Sequence, residues 1–165
     1  MSDDARVPHR GLITASAMLA MFMQVLDTSI CVVALPYMQG SLSATLEQVN
    51  WVLTSYIVAS AIMTPPSGWL ATRFGRKNFF MFAVAGFTVA SVACAAAASL
   101  EQMVLFRLLQ GAFGAAVIPL SQSILLDIYP KERQGAAMAI WGMGIMVGPI
   151  LGPTLGGWLT EAYGW

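Results

Sequence analysis

Three stretches of this chain contain no charged residue and are long enough to cross a lipid bilayer. They run from Gln48 to Thr72, from Asn78 to Leu100 and from Gln134 to Thr160. A helix needs roughly 20 predominantly apolar residues to span the hydrocarbon core of a bilayer. Two further stretches contain a single charge each, Asp27 within 11–35 and Arg107 within 102–126. The charge pattern therefore predicts five transmembrane helices.

The composition agrees with a membrane protein and excludes several other classes. Of 165 residues, 58% are hydrophobic and 10% are charged, whereas soluble domains carry roughly 25% charged residues. This hydrophobicity excludes a disordered chain, and the net charge of zero excludes a strongly basic nucleic-acid binder. Two cysteines are too few for a disulfide scaffold. No nucleophile–base pair or set of metal ligands is apparent, so we expect no enzyme, no metal site and no cofactor other than coupling protons.

The predicted fold class is an all-α membrane protein. The apolar segments do not alternate apolar and polar residues, as the strands of a membrane barrel would. A tail over 1–11 precedes the helices, which we place near 12–35, 49–71, 79–98, 102–125 and 136–160.

The basic residues outside the spans all lie in the tail or in alternate connections. They are Arg6, Arg10, Arg73, Arg76, Lys77, Lys131 and Arg133. The opposite connections, 36–48, 99–101 and 161–165, contain no Lys or Arg. Because basic residues concentrate in cytoplasmic loops, the N-terminus is predicted to lie in the cytoplasm. The predicted location is the cell membrane, inner or plasma, with several passes.

Two ionisable residues lie within the predicted spans, where a charge is costly and commonly functional. Asp27 lies eight residues before the predicted outer end of the first helix, and Arg107 five residues into the fourth. At 1.5 Å per residue, these depths are roughly 12 and 8 Å. The opposite charges are therefore expected to share a site, directly or across water or substrate. The structural alternatives are that Asp27 only neutralises Arg107, or that Arg107 snorkels to the interface.

Glycine recurs at every fourth residue of the fifth predicted helix. The repeat comprises Gly144, Gly148, Gly152 and Gly156, accompanied by Pro149, Pro153 and Gly157. Such spacing forms a ridge without side chains, which lets another helix approach closely, and the prolines favour a bend. The ridge predicts either tight packing alone or a helix whose bend and close contact seal one side of a pathway.

The connection between the second and third helices combines glycines with basic residues. Gly68 and Gly75 are expected to bracket a tight turn, and Arg73, Arg76 and Lys77 lie beside it. Anchoring to acidic lipid accounts for the bases but leaves the two glycines unexplained.

These segments together resemble the major facilitator superfamily, in particular its fourteen-helix drug:proton antiporter group of the EmrB/QacA type. The sequence GWLATRFGRK (68–77) is similar to the family's loop 2–3 signature, RLLQG (107–111) to its helix 4 signature, and GIMVGPILGPTLGG (144–157) to its helix 5 antiporter motif. The segment 26–30, with Ala-Leu-Pro at 34–36, resembles the group's helix 1 motif, and 51–56 fits its helix 2. Four motifs in the expected order make the resemblance specific.

The resemblance implies two six-helix bundles around a central cavity, with two extra helices. This chain would supply helices 1 to 5 of the first bundle, as an N-terminal fragment ending where helix 6 should begin. It implies proton-coupled export of amphipathic toxic compounds. Asp27, Arg107 and Gln110 would line the cavity and take part in proton coupling. The loop from Gly68 to Lys77 would form a cytoplasmic gate, and the helix 5 glycines and prolines would control leakage.

Two positions depart from the family pattern. Thr72 stands where the loop motif normally has an Asp, which is implicated in locking the two halves of the transporter together. Val32 stands where the helix 1 motif commonly has an Asn. The first departure weakens the gate assignment, and the second removes a polar group from the cavity.

Other hypotheses remain open from the sequence. The chain could be an inert truncated fragment without transport, or part of a related exporter of a metabolite, siderophore or lipid. The expected partners are the lipid bilayer, a small-molecule substrate and protons, without nucleic acid. A periplasmic adaptor is neither indicated nor excluded. In the transporter hypothesis Asp27 titrates, because burial disfavours a charged carboxylate while a nearby cation favours it.

Overall fold

The computed structural model describes residues 9–164, and over that range the protein is helical with no strand. The helices are α1 (Arg10–Ser41), α2 (Leu46–Val49), α3 (Trp51–Phe74), α4 (Arg76–Ala95), α5 (Leu100–Gly114), α6 (Val117–Ile128) and α7 (Lys131–Tyr163). The predicted all-helical architecture is confirmed for the described residues. Most of the predicted tail, 1–8, lies outside them, and Arg10 and Gly11 already belong to α1.

Successive long segments run in opposite directions, so the connections lie at two ends of a bundle. We name the end that holds Arg10, Gly75 and Lys131 the basic end. Four segments are long and apolar enough to cross a membrane: α1, α4, α5 together with α6, and α7. The remaining predicted span, 49–71, corresponds to α3, which is not among these four. Its 24 residues would extend about 36 Å, but Ser, Thr and two Pro residues lower its hydropathy.

The predicted span 102–125 is divided into α5 and α6 at Ala115 and Ala116. Pro119 in the first turn of α6 has no N–H to donate to the carbonyl of Ala115, and its ring crowds that carbonyl. Both residues at the break keep right-handed helical backbone angles. The two helices therefore act as one 29-residue segment, Leu100–Ile128.

The helices α1 and α7 extend beyond both of their predicted ends. α1 has 32 residues and includes Pro36, and α7 has 33 residues and includes Pro149 and Pro153. The short helix α2 was not anticipated. It begins with a capping box in which the side chains of Thr45 and Gln48 each accept a hydrogen bond from the other residue's backbone N–H, which satisfies donors that a helix start leaves free.

Three helix pairs dominate the packing: α1 with α7, α3 with α5, and α4 with α5. Small residues line much of the interior. One buried cluster consists of Ala20, Ala71, Ala83, Ala116, Val117 and Leu120, and another of Cys31, Ala34, Met38, Val49, Val52, Cys94 and Met103. Short side chains let the helix axes approach, as is common in membrane bundles.

The outer surface of the bundle is apolar. Large hydrophobic side chains such as Leu19, Ile62, Val89 and Ile150 are each at least 65% exposed. Monomeric soluble proteins rarely expose contiguous apolar patches of this kind. This surface suits contact with lipid chains or with other helices.

Candidate functional site

Asp27 of α1 and Arg107 of α5 form an ion pair inside the bundle. Arg107 Nη1 lies 2.6 Å from Asp27 Oδ2, and the two side chains are 8% and 16% exposed, respectively. The prediction that these opposite charges share a site is confirmed, and their contact is direct. Arg107 therefore points into the bundle and does not snorkel to the interface.

Gln110 joins this pair and orients it. It lies one turn after Arg107 on the same face of α5 and is fully buried. Arg107 Nη1 donates to Gln110 Oε1 over 2.9 Å, and Gln110 Nε2 donates to Asp27 Oδ1 over 3.0 Å. The thiol of Cys94 on α4 donates to the same Gln110 Oε1 over 3.7 Å. Both carboxylate oxygens of Asp27 thus accept hydrogen bonds from α5.

The cluster of Asp27, Arg107 and Gln110 has stronger polar contacts when Asp27 is ionised than when it is protonated. When Asp27 is ionised, it accepts bonds at both oxygens and compensates Arg107. Protonation removes this charge and converts one oxygen into a donor. Loss of one partner of a buried pair costs about 3–5 kcal/mol, because the other charge remains without compensation. Arg107 Nε makes no hydrogen bond, so the guanidinium depends on Asp27 and Gln110.

A cavity of about 380 Å³ adjoins the ion pair. Asp27 and Arg107 line it, and the remaining lining comes mainly from apolar residues of α1, α4, α5 and α7, with the buried thiols of Cys31 and Cys94. Small-molecule sites combine an apolar wall with few polar groups in volumes of about 300–1,000 Å³. The arrangement can therefore receive an amphipathic molecule beside a group able to exchange a proton.

The glycine ridge of α7 packs against α1, the helix that carries Asp27. Gly148, Gly152 and Gly156 are all buried. A Cβ atom at Gly148 would overlap the side chain of Val25, and one at Gly152 would overlap that of Ser29. The two helices can approach this closely only because these positions lack side chains.

Of the other members of the predicted α7 motif, Gly144 also faces α1, whereas Gly157 and the prolines do not. A Cβ atom at Gly144 would come within 3.0 Å of methionine methyl groups of α1, whereas one at Gly157 would meet nothing within 4 Å. Pro149 and Pro153 are exposed. The ridge is therefore a single stripe on α7, and Gly157 and the prolines are not part of its contact surface.

The turn between α3 and α4 consists of Gly75 alone. Its φ of +83° lies in the left-handed region, which glycine adopts without steric cost. The expectation that Gly68 brackets this turn is wrong, because Gly68 lies inside α3, which continues to Phe74. Leu70 and Ala71, which favour helix, lie between the two glycines and carry α3 past the predicted loop start.

The basic residues at this turn have different partners. Arg76, at the start of α4, forms an ion pair with Asp127 near the end of α6. The guanidinium of Arg73 lies over the ring of Trp69, 5.9 Å from its centroid. Lys77 is exposed. The ion pair between Arg76 and Asp127 thus connects α4 to α6 at the basic end of the bundle.

The two departures from the family pattern lie outside the ion-pair cluster. The Thr72 hydroxyl donates to the backbone carbonyl of Trp69 over 2.7 Å, a hydrogen bond within α3. Val32 is 54% exposed, in contrast to Asp27 on the same helix. A polar group at Val32 would therefore lie on the outer surface of the described bundle.

A comparison with known families identifies the fold. Residues 17–165 match the sequence profile described as Major Facilitator Superfamily. The chain belongs to the major facilitator superfamily. The fold class predicted from the sequence, a helical membrane protein that forms part of a major-facilitator bundle, is confirmed. The residues that carry the resemblance lie on α1, α3, α5, α7 and the Gly75 turn.

Curated relatives of this major-facilitator chain are export and resistance proteins. It is 49% identical over 154 residues to "Multidrug export protein EmrB" of Haemophilus influenzae, and 44% identical over 154 residues to the protein of that name from Escherichia coli. It is 46% identical over 153 residues to "Fatty acid resistance protein FarB" of Neisseria gonorrhoeae. Each alignment covers 93% of this chain and 30% of the relative. The chain thus spans less than a third of the length of these relatives.

Two solved structures of a bacterial transporter homologue have a similar arrangement of helices. A bacterial homologue of the human lysosomal transporter Spinster, inward-facing and unoccupied, is 27% identical with a TM-score of 0.79, over 92% of this chain and 32% of that one. The occupied inward-facing form is 26% identical with a TM-score of 0.81, over 95% and 34%. Together with the apolar helices, these matches show that the major-facilitator chain is a multi-pass membrane protein.

Several polar residues of this bundle were not predicted from the sequence. Gln24 of α1 donates hydrogen bonds to the Tyr56 hydroxyl of α3 and to the carbonyl of Gly114 at the end of α5. Asp127 was not considered as a partner of Arg76. A buried Gln24 was in principle detectable as an uncharged polar residue inside an apolar stretch, but its partners lie 32 and 90 residues away.

Proposed function

We propose that the whole protein containing this chain exports drugs or other amphipathic small molecules in exchange for protons. The observation that carries this proposal is the buried Asp27–Arg107–Gln110 cluster beside an apolar cavity. An ionisable group inside a membrane protein is costly and commonly marks an ion or substrate pathway. Among the described residues, Asp27 and Arg107 are the charged groups that line this cavity.

In the proposed mechanism Asp27 carries the coupling proton. The ionised carboxylate is held by Arg107 and Gln110 and can interact with a cationic or polar substrate. Proton binding neutralises the carboxylate, so the substrate loses its partner and the bond to Arg107 weakens. Alternating access would let proton binding and substrate release occur on opposite sides of the membrane.

The names of the relatives support export of drugs or related compounds. The EmrB proteins are named as multidrug exporters, at 49% and 44% identity. The cavity suits such substrates because its apolar walls can contact a hydrophobic body while the cluster contacts a polar group. We infer an amphipathic substrate class from this combination.

We further propose that the N-terminus is cytoplasmic and that the protein lies in the cell membrane, inner or plasma. All the Lys and Arg residues outside the spans belong to the tail or to connections that reach the basic end. Basic residues favour the cytoplasmic side. The basic end, with Gly75 and Arg76, would then take part in the cytoplasmic gate, and the α7 ridge would limit leakage along α1.

A second candidate is export of a fatty acid or another amphipathic lipid. The relative at 46% identity is named "Fatty acid resistance protein FarB". An ionised fatty acid would approach Arg107, whereas a cationic drug would approach Asp27. The two substrate classes can therefore be distinguished with probes of opposite charge.

The test measures efflux against a concentration gradient in proteoliposomes that contain the whole protein under an imposed pH difference. Ethidium serves as the cationic probe and a medium-chain fatty acid as the acidic one. We expect Asp27→Asn to abolish uphill efflux while leaving some substrate binding, because the variant keeps size but cannot titrate. Glu101→Gln, an exposed acid on α5, is the matched control and should transport normally. Uphill efflux by Asp27→Asn equal to that of the wild type would refute proton coupling at this residue.

A further inference from the structure

α1 and α5 are joined by a second polar contact, one turn from the ion pair. Gln24 Nε2 donates to the Gly114 carbonyl over 2.9 Å and to the Tyr56 hydroxyl over 3.0 Å. Gln24 and Tyr56 are 5% and 6% exposed. Burying an amide N–H group is costly unless it is hydrogen-bonded, so the two bonds from Nε2 make a specific link among α1, α3 and α5, whereas Gln24 Oε1 makes no hydrogen bond.

The helix break in the fourth span makes the Gly114 carbonyl available. α5 ends at Gly114, and the last carbonyls of a helix lack the usual partners four residues later. Gln24 Nε2 supplies a donor there. Its amide therefore connects α1 to the place where α5 meets α6, and Tyr56 adds α3 to the same point.

The two polar contacts between α1 and α5 lie one helical turn apart. Asp27 meets Arg107 and Gln110, and Gln24, one turn earlier on α1, meets Gly114, one turn later on α5. The extensive contacts of α1 are with α6 and α7, not with α5. Side-chain bonds therefore provide much of the connection between α1 and α5. One of the two contacts, the ionic contact, includes an ion pair and a titratable carboxylate. The other, the neutral contact, joins an amide to a carbonyl and a hydroxyl.

We propose that Gln24 and Tyr56 are positioning residues for proton coupling: their hydrogen bonds keep α1 beside α5 and so hold Asp27 against Arg107. This inference rests on the proposed proton-coupled export. Protonation of Asp27 weakens the ionic contact, and the neutral contact remains. α1 therefore stays attached to α5 near Gly114 while the ion pair opens and re-forms.

Several charged and titratable groups lie around Asp27. Arg107 and Tyr56 face it from α5 and α3, and Cys31, Cys94 and Tyr163 line the same cavity from α1, α4 and α7. In the part of the chain that the structure describes, Arg107 is the only cation among these groups. A cation held close to a carboxylate favours its charged form. If α1 moves away from α5, the influence of Arg107 on Asp27 changes, and the pH dependence of proton-coupled exchange is expected to change with it.

The first measurement is the pH profile of proton-coupled exchange by the whole protein in proteoliposomes. Gln24→Leu removes the amide and Tyr56→Phe removes one hydroxyl while keeping the ring. We expect Gln24→Leu to shift the pH of half-maximal exchange by about one unit, and Tyr56→Phe to shift it by less. Tyr129→Phe is the matched control, because it also removes a hydroxyl contact to α1, at Thr14, far from Asp27. It should leave the profile unchanged.

The second measurement does not depend on transport. Cys31, 2% exposed and one turn beyond Asp27, is labelled with N-ethylmaleimide in a protein whose other cysteines, including Cys94, are replaced. Gln24→Leu should increase the labelling rate, and Tyr129→Phe should not. If Gln24→Leu does not fold, both measurements are made on Tyr56→Phe, which is a smaller change.

The outcomes separate this inference from the proposed function. Absence of proton-coupled exchange in the wild type would refute the proposed function, and the labelling rates would still decide whether Gln24 positions α1. Coupled exchange in the wild type, with the same pH profile in Gln24→Leu and Tyr56→Phe, would overturn the inference alone. Equal labelling of Cys31 in the wild type and in both variants would overturn it as well.

Discussion

α1 contacts its neighbours α7 and α5 in opposite ways. Toward α7 the contact depends on missing side chains, because Gly148 and Gly152 leave room for Val25 and Ser29. Toward α5 it depends on side-chain hydrogen bonds and the Asp27–Arg107 ion pair. One face of the helix is therefore held by close packing and the other by polar groups that respond to protonation.

The difference indicates which contact can change during transport. Close-packed helix surfaces have few alternative arrangements, since a small displacement creates overlap or voids. An ion pair between a carboxylate and a guanidinium can be weakened by one proton. We therefore expect α1 and α7 to move together and the Asp27–Arg107 ion pair to open and close, while the bond from Gln24 to Gly114 persists.

Arg107→Ala is expected to break the polar contact with the largest effect. The buried Asp27 carboxylate would lose its cation, which costs about 3–5 kcal/mol of unfolding free energy for buried pairs. Export should be lost, whereas Arg107→Lys should retain part of it, because lysine keeps the charge but not the planar fork. Efflux from proteoliposomes and thermal unfolding in detergent measure both effects. Normal export and stability in Arg107→Ala would contradict the assignment.

Gly148→Leu is expected to break the close-packed contact while leaving the ion pair chemically intact. Its Cβ alone would overlap Val25, and overpacking a helix contact costs about 1–3 kcal/mol. Transport should fall more than membrane insertion does. Gly157→Leu is the matched control, since a Cβ there meets nothing within 4 Å. Equal transport by the two variants, at equal expression, would show that the ridge is not required.

Asp127→Asn is expected to have the smallest effect on stability, and it sharpens the contrast between a buried and an exposed ion pair. Asp127 and its partner Arg76 have side chains that are 54% and 47% exposed. Exposed pairs contribute about 0–1 kcal/mol, so thermal unfolding in detergent should differ little from that of the wild type. A loss of stability as large as that in Arg107→Ala would remove the distinction between the two pairs.

Much of the site was predictable because helical geometry converts sequence spacing into depth. The estimated depths placed Asp27 and Arg107 at similar levels, and the structure brings them into contact. The same reasoning was wrong for Gly68, because a glycine near a predicted turn need not end a helix. It also missed Gln24 and Tyr56, since an uncharged polar residue in an apolar stretch does not indicate its partner.

The sequence by itself determined the helical membrane fold, the positions of most spans and the two intramembrane charges, because hydrophobicity, charge and residue spacing are local properties of the chain. Only the tertiary structure decided which helices meet. It placed the glycine ridge of α7 against α1, joined Gln110 to both members of the ion pair and brought Gln24 to Gly114. These contacts depend on the rotation and relative position of helices far apart in the chain, which no local pattern specifies.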